Sequence, residues 1–192
     1  PIIDLISDQQ TDEDTSLTLT LSAFDVDGDQ LYYSASDGDT ELVVNGNQLT
    51  ITPVDNFNGS VEIAVSVTDG EFSDSTTFTL TVNPVNDAPT LDVVSDQIID
   101  EDTSLAVILS ASDIDGDQLY FGASADANAS VSLNGTELEV SPDANYFGLI
   151  TISYSVSDGE YLVENTFLVE VVSVNDAPVI TALDNQVIDE DT

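Results

Sequence analysis

Val61-Glu62-Ile63-Ala64-Val65-Ser66-Val67 alternates residue by residue, with Ile63, Val65 and Val67 on one side and Glu62, Ala64 and Ser66 on the other. A period of two places successive side chains on opposite faces of a pleated strand, whereas a helix would repeat its apolar residues every three to four positions. The same pattern recurs outward from this stretch, in Phe78-Thr79-Leu80-Thr81-Val82 and in Leu17-Thr18-Leu19-Thr20-Leu21. Short alternating runs rich in β-branched and aromatic residues predict an all-β antiparallel sandwich. Seven strands are expected in the first module, near Ile2 to Ile6, Leu17 to Leu21, Leu31 to Ala35, Glu41 to Val44, Leu49 to Thr52, Val61 to Val67 and Phe78 to Val82. Asn45-Gly46 predicts a type I′ hairpin between the fourth and fifth, as does Asn134-Gly135 in the second module. The alternation assigns Leu17, Leu19, Leu21, Leu31, Tyr33 and Leu49 to the core, with Ile51, Ile63, Val65, Val67, Phe78, Leu80 and Val82. Tyr32, Tyr120, Phe57 and Phe147 are read as packing or loop-anchoring groups before a ligand-binding aromatic face.

The chain repeats itself. Asp12-Glu13-Asp14-Thr15, Asp25-Val26-Asp27-Gly28-Asp29, Asp69-Gly70-Glu71 and Asn86-Asp87-Ala88-Pro89 return in the same order, as Asp100 to Thr103, Asp113 to Asp117, Asp158 to Glu160 and Asn175 to Pro178. The separation is 88 residues from Asp12 to Asp100 and 89 from Asn86 to Asn175, an insertion falling before Pro142. Two tandem modules, 1–88 and 89–177, follow, with the first strand of a third over 178–192, ending at Asp189-Glu190-Asp191-Thr192. The chain is expected to be a window on a longer array.

Thirty-eight Asp and Glu face no Lys, Arg or His, a formal charge of -38 over 192 residues. No side chain can neutralise it. With 41% hydrophobic residues in clean alternation, the acids belong on the surface of folded modules rather than in a disordered polyanion. Nucleic acids and anionic lipid are excluded as partners, since phosphate affinity comes from Lys and Arg displacing counterions. Without Cys there is no disulfide or thiolate chemistry. No apolar run approaches the roughly 20 residues that span a bilayer, so no membrane insertion is expected in this segment.

If the first strand runs away from the preceding module and the others alternate, Asp25 to Asp29 and Asp69 to Glu71 fall in loops at the module's N-terminal pole. The bend at Glu13 and the loop at Asp55-Asn56 fall at the opposite pole, followed by the Asn86-Asp87 linker and then Asp113, Asp115, Asp117 and Asp158 of the next module. Six to eight oxygen ligands from carboxylates, Asn side chains and carbonyls are what Ca²⁺ takes. Zinc and copper would favour imidazole or thiolate, and magnesium keeps its waters and few carboxylates. Calcium is therefore the expected ion. The segment is not an EF-hand, because Gln30 and Ser36 stand where that loop needs Gly and Glu. A halophilic surface would scatter its acids instead of repeating them in register, and a glycosidase pair has no reason to recur in each module.

As a set, the Asn-Asp-Ala-Pro linkers, the Glu-Asp-Thr words, Asp-x-Asp-Gly-Asp-x-Leu, Asp55-Asn56-Phe57-Asn58-Gly59 and Asp-Gly-Glu resemble the cadherin-like repeats strung in tandem in very large bacterial surface adhesins. The resemblance implies Greek-key sandwiches of the Ig/cadherin-like kind, outside the cell, with Ca²⁺ held where neighbouring repeats of the same chain meet. It implies a first junction built from Glu13, Asp55, Asn86, Asp87, Asp113, Asp115 and Asp158, with Asp117 beside them. Asp25, Asp27, Asp29 and Asp69 would serve the junction before, and Glu101, Asp143, Asn175 and Asp176 the junction after. The family's linker carries an Asp two residues before its Asn-Asp, where this chain has Pro84, and its base loop reads Asp-Arg-Glu, which is missing here. One or two ions per junction are expected instead of three. The leading expectation is a calcium-stiffened extender; the alternative is an adhesion module for glycans or for another copy of the protein.

Overall fold

The computed structural model describes residues 1–37 and 40–182, so the third copy's Asp189 to Thr192 lies outside the described residues. Two compact units, Pro1–Asp87 and Ala88–Thr192, each form a β-sandwich, and no helix occurs among the described residues. In the first unit the strands are β1 (Ile2–Ile3), β2 (Gln9–Asp12), β3 (Leu17–Thr20), β4 (Ala23–Phe24), β5 (Tyr32–Ser36), β6 (Glu41–Asn45), β7 (Gln48–Thr52), β8 (Gly59–Thr68) and β9 (Ser73–Asn83). A four-stranded sheet, β2-β9-β8-β5, faces a three-stranded one, β3-β7-β6, and β1 pairs with β4 beside them. The second unit repeats this with β10 (Thr90–Leu91), β11 (Gln97–Asp100), β12 (Leu105–Ile108), β13 (Ala111–Ser112), β14 (Tyr120–Ala125), β15 (Ala129–Asn134), β16 (Glu137–Pro142), β17 (Gly148–Ser157) and β18 (Leu162–Val172).

Seven strands per sandwich are present, two of them broken. The expected first strand, Ile2 to Ile6, ends at Ile3, and the chain then crosses to the other sheet, where Gln9–Asp12 runs parallel to β9 with Gln9 opposite Leu80. Gln9-Gln10-Thr11-Asp12 has no apolar residue to signal a strand; what holds it is hydrogen bonding to β9. The hairpin also differs from the expected one. Asn45 is the last residue of β6, opposite Gln48, so the turn is Gly46-Asn47, and only Gly46 has positive φ, at 62°. That is the type II′ pattern, with Gly135 (φ 64°) in the same place in the second unit.

The alternation locates the core. Leu21, Leu49, Ile51, Ile63, Val65, Val67, Phe78, Leu80 and Val82 are buried, and Leu17, Leu19, Leu31 and Tyr33 pack against them. Phe57 joins this core, and its counterpart after the insertion is Tyr146, not Phe147, which is 64% exposed. Each ring lies over a glycine of positive φ: a Cβ at Gly59 would stand 3.4 Å from Phe57, and one at Gly148 would stand 2.9 Å from the Tyr146 hydroxyl. Tyr32 and Tyr120, read above as anchors, are instead exposed on the outer sheet face.

Tyr154 of β17 replaces Val65 of β8. Its buried ring meets Phe167 edge-on, with centroids 5.8 Å apart, while its hydroxyl accepts from Val94 N–H at 2.8 Å and donates to the Asp92 carbonyl at 3.1 Å. One side chain thereby ties the crossing segment between β10 and β11 to the core. Tyr154→Phe keeps the packing and strands the Val94 N–H, which should lower the second unit's stability by about 1–2 kcal/mol. Urea unfolding with hydrogen exchange read at β17 amides measures it, and an unchanged midpoint would contradict this role.

Candidate metal centre

Each acidic loop is built the same way: one carboxylate oxygen of its leading aspartate ties the backbone. At the N-terminal pole of the first unit, Asp25 Oδ1 accepts from the N–H groups of Asp27, Gly28 and Asp29 at 2.9, 3.0 and 3.3 Å. In the β8–β9 hairpin, Asp69 Oδ1 accepts from Glu71 and Phe72 N–H, both at 2.8 Å. Asp and Gly favour such turns because a short carboxylate reaches the amides two residues on, and glycine supplies positive φ, 79° at Gly28. The second unit repeats the arrangement, with Asp113 Oδ1 accepting from Asp115 and Asp117 at 3.0 and 3.2 Å, and Asp158 Oδ1 from Glu160 and Tyr161 at 2.7 and 2.6 Å.

The second oxygens of Asp25 and Asp69 face a common point. In the first unit the Pro1 ammonium stands 3.1 Å from Asp25 Oδ2 and 3.7 Å from Asp69 Oδ2. Two carboxylates 44 residues apart in sequence (Asp25 to Asp69) thus converge on the Pro1 nitrogen. The Asp25 carboxylate holds the Pro1 amine above its ordinary range, and the amine, joined by the Asp29 and Asp27 N–H groups, holds Asp25 below its own. Asp69 is also held low, chiefly by the Phe72 and Glu71 N–H groups. In the second unit, Asp113, Asp115 and Asp117 bring one carboxylate oxygen each within 4.8 Å of one another, and Asp113 Oδ2 is buried with no hydrogen-bond partner. A buried anionic oxygen without a donor is costly unless a cation meets it. Hard oxygen donors alone suit Ca²⁺.

At the C-terminal pole of the first unit, Glu13 is 3% exposed, and its Oε1 accepts from Val85 N–H at 2.6 Å, one residue before the Asn86-Asp87 linker. Glu101 repeats this with Val174 N–H at 2.6 Å, one residue before Asn175-Asp176. Asn86 and Asn175 donate their side-chain amides to the carbonyls of Asp87 and Asp176. Asp14 and Asp102, not singled out above, sit at positive φ (56° and 60°) and accept from Asn56 and Asn145 N–H at 2.9 Å, so they brace the neighbouring loop. Their signal was available in the repeated Glu-Asp-Thr word. Asp55 lies exposed in that loop, but Asp143 is not its counterpart. The insertion puts Asp143 in the place of Val54, where its carbonyl accepts from Tyr146 N–H as Val54's does from Phe57, and Ala144 stands in the place of Asp55. Asp27 and Asp29 are exposed in the first unit's loop.

Tandem Ig-like sandwiches with acidic poles define the class. The chain belongs to the bacterial Ig domain family, which it matches twice, over residues 1–83 and 86–171. Chitinase A of Pseudoalteromonas piscicida is 31% identical over 154 residues, 78% of this chain and 19% of that enzyme, so the chain spans about a fifth of its relative. Among solved structures, the EC1-2 domains of human protocadherin-24 (form II) align with a TM-score of 0.52 at 14% identity, covering 93% of this chain and 99% of that one. Drosophila N-cadherin EC1-4 aligns at 0.51 and 15%, covering 88% and 47%. The likeness to cadherin domains is one of fold.

A carboxylate held below its ordinary value, about 3.9 for Asp, stabilises the fold above that value and loses the contribution as pH falls through the depressed one. Asp69→Ala should therefore lower the first unit's unfolding midpoint at pH 6, and the gap to the unsubstituted chain should close as pH falls towards 3. Thermal unfolding in chelator across that range tests it, and a gap that widens on acidification would refute it.

Proposed function

We propose that the chain is a calcium-rigidified extender from a large bacterial cell-surface adhesin, binding Ca²⁺ at the junctions between repeats. The observation that carries this reading is the partnerless buried Oδ2 of Asp113 in a three-aspartate cluster. In this reading Glu13, Asp55, Asn86 and Asp87 share one or two ions with Asp113, Asp115, Asp117 and Asp158. Asp25, Asp27, Asp29 and Asp69 serve an equivalent site, as do Glu101, Asn175 and Asp176. Asp143, one residue out of register, serves none.

The mechanism is electrostatic. Two carboxylates about 5 Å apart repel by about 3 kcal/mol at an effective dielectric near 20, so several at one pole resist close approach without a cation. A divalent ion converts that repulsion into attraction, and free Ca²⁺ at a hundredfold over its dissociation constant adds about 2.7 kcal/mol to the stability of the form that binds it. Each sandwich is roughly 35–45 Å long from its strand rise, so stiffened copies in series reach far from a cell surface. A second reading, a spacer inside a secreted polysaccharide-degrading enzyme, is favoured by the likeness to chitinase A and uses the same mechanics. Neither reading gives the acids a catalytic role, since they bind backbone N–H groups in pole loops.

Calorimetric titration with Ca²⁺ should show saturable binding, and Asp113→Ala with Asp115→Ala should remove one class of sites. Small-angle scattering should show a larger maximum dimension in millimolar Ca²⁺ than in chelator, with Mg²⁺ and high salt as controls for plain screening. Equal dimensions in both would refute the stiffening.

A further inference from the structure

The outer face of the second unit's four-stranded sheet differs from that of the first in one consistent respect. Ile98, Leu149, Leu162 and Leu168 are exposed there, by 70, 61, 60 and 38%. At the same register positions the first unit carries Gln10, Ser60, Ser73 and Thr79. The backbone is common to both, so folding does not require these apolar groups. They stand in an ordered pattern. Along the sheet, the row Ile98–Glu170–Leu149 is followed by Leu168–Thr151, then Thr166–Ser153–Ser124, then Glu164–Ser155–Gly122, then Leu162–Ser157–Tyr120. Apolar side chains occupy the two ends and hydroxyls the middle.

The middle is a shallow, open depression. An open hollow of about 320 Å³ is lined by Ser153, Glu164, Asn165 and Thr166, and a smaller one of about 140 Å³ shares Ser153 and Glu164 with it and reaches Ser124 and Ser155. Gly122 keeps its side open, since a Cβ there would stand 2.8 Å from Ser155 Oγ. Two residues along a strand advance about 6.7 Å, so the five rows extend over about 27 Å, enough for several linked sugar rings.

We propose that this face binds a neutral polysaccharide. Sugar rings present C–H faces to apolar or aromatic side chains and hydroxyl edges to polar ones, and this surface offers Tyr120 and Leu162, then Ser153, Ser155, Thr166 and the Glu164 carboxylate, then Leu149 and Leu168. Hydroxyl donors to a carboxylate form the stronger, charge-assisted kind of hydrogen bond. Charge selects the ligand class. A chain of -38 with no basic side chain repels sulfated or uronic polymers, and a second copy would set Glu164 and Glu170 against their like. An uncharged, hydroxyl-rich chain meets no such barrier. The site lies within the second unit and does not depend on the metal reading.

Affinity electrophoresis of the full chain tests it, in gels containing xylan, glucomannan or hydroxyethylcellulose, with alginate as the anionic control, run in Ca²⁺ and in chelator. At least one neutral polymer should retard the chain, equally with or without Ca²⁺ and undiminished in high salt. The variant Ile98→Gln, Leu149→Ser, Leu162→Ser, Leu168→Thr carries the first unit's own residues in the same register. It should keep its unfolding midpoint and lose at least tenfold in affinity, as should Glu164→Ser. Absence of retardation by every neutral polymer, or full retention by the four-site variant, would overturn the proposal. So would self-association of the unsubstituted chain that the variant abolishes, which would assign the face to a second copy.

Discussion

Mutual repulsion among carboxylates that no side chain can neutralise is the constraint on which the rest of this molecule is arranged. With Lys, Arg and His absent, the positive charge that the fold itself supplies is the partial charge on backbone N–H groups. Asp25 gathers three N–H groups, while Asp69, Asp113 and Asp158 gather two each, which demands tight turns and hence the Asp-Gly pairs. Such turns end strands, so these aspartates collect at the poles. Acids away from the poles are bound likewise: Asp8 and Asp96 accept from Thr79 and Leu168 N–H in β9 and β18, and Asp74 from Ile3 N–H.

The duplication allows each feature to be compared under nearly constant backbone. What recurs in both copies answers to the fold's own demands: the Glu13 and Glu101 carboxylates on Val85 and Val174 N–H, or Asp14 and Asp102 on the adjoining loop. What differs is free to specialise. Val65 becomes Tyr154, which adds two hydrogen bonds to a position otherwise held by packing alone. Asp55 becomes Ala144 while Val54 becomes Asp143, so the two loops carry the same number of acids at positions one residue apart.

Most of the sandwich was legible because burial imposes a period of two wherever one sheet face meets a core, and β8 and β9 show it without interruption. Polar segments gave no such signal. Gln9–Asp12 is a strand because β9 offers it backbone partners, and nothing in its side chains records that. The hairpin turn was read one residue early, since Asn-Gly satisfies I′ geometry by composition while the register with Gln48 puts Gly46 first in the turn. Residue type alone points to Phe147 as a packing group beside Phe57, but the insertion hands the buried position to Tyr146. The acidic words were legible as a set through duplication, but not the division of labour between their oxygens, which depends on χ angles that sequence does not state.

That division bears on how firmly an ion would be held. An aspartate in solution must give up rotamer freedom to become a ligand, and a cluster of them must also be brought together against repulsion. Where Oδ1 already accepts from two or three amides, the side chain is ordered before any ion arrives and Oδ2 points in a fixed direction. The ordering cost is then met by folding, and the amides remove part of the negative charge that would otherwise drive the carboxylates apart. At Asp69 the same amides lower carboxylate basicity, which weakens a bond to a cation but keeps that group ionised in mildly acid surroundings. A pole built this way gains its selectivity from the number and placement of oxygens rather than from the strength of any one, which is the regime in which a large, flexible-geometry cation outcompetes a small one that resists losing its water.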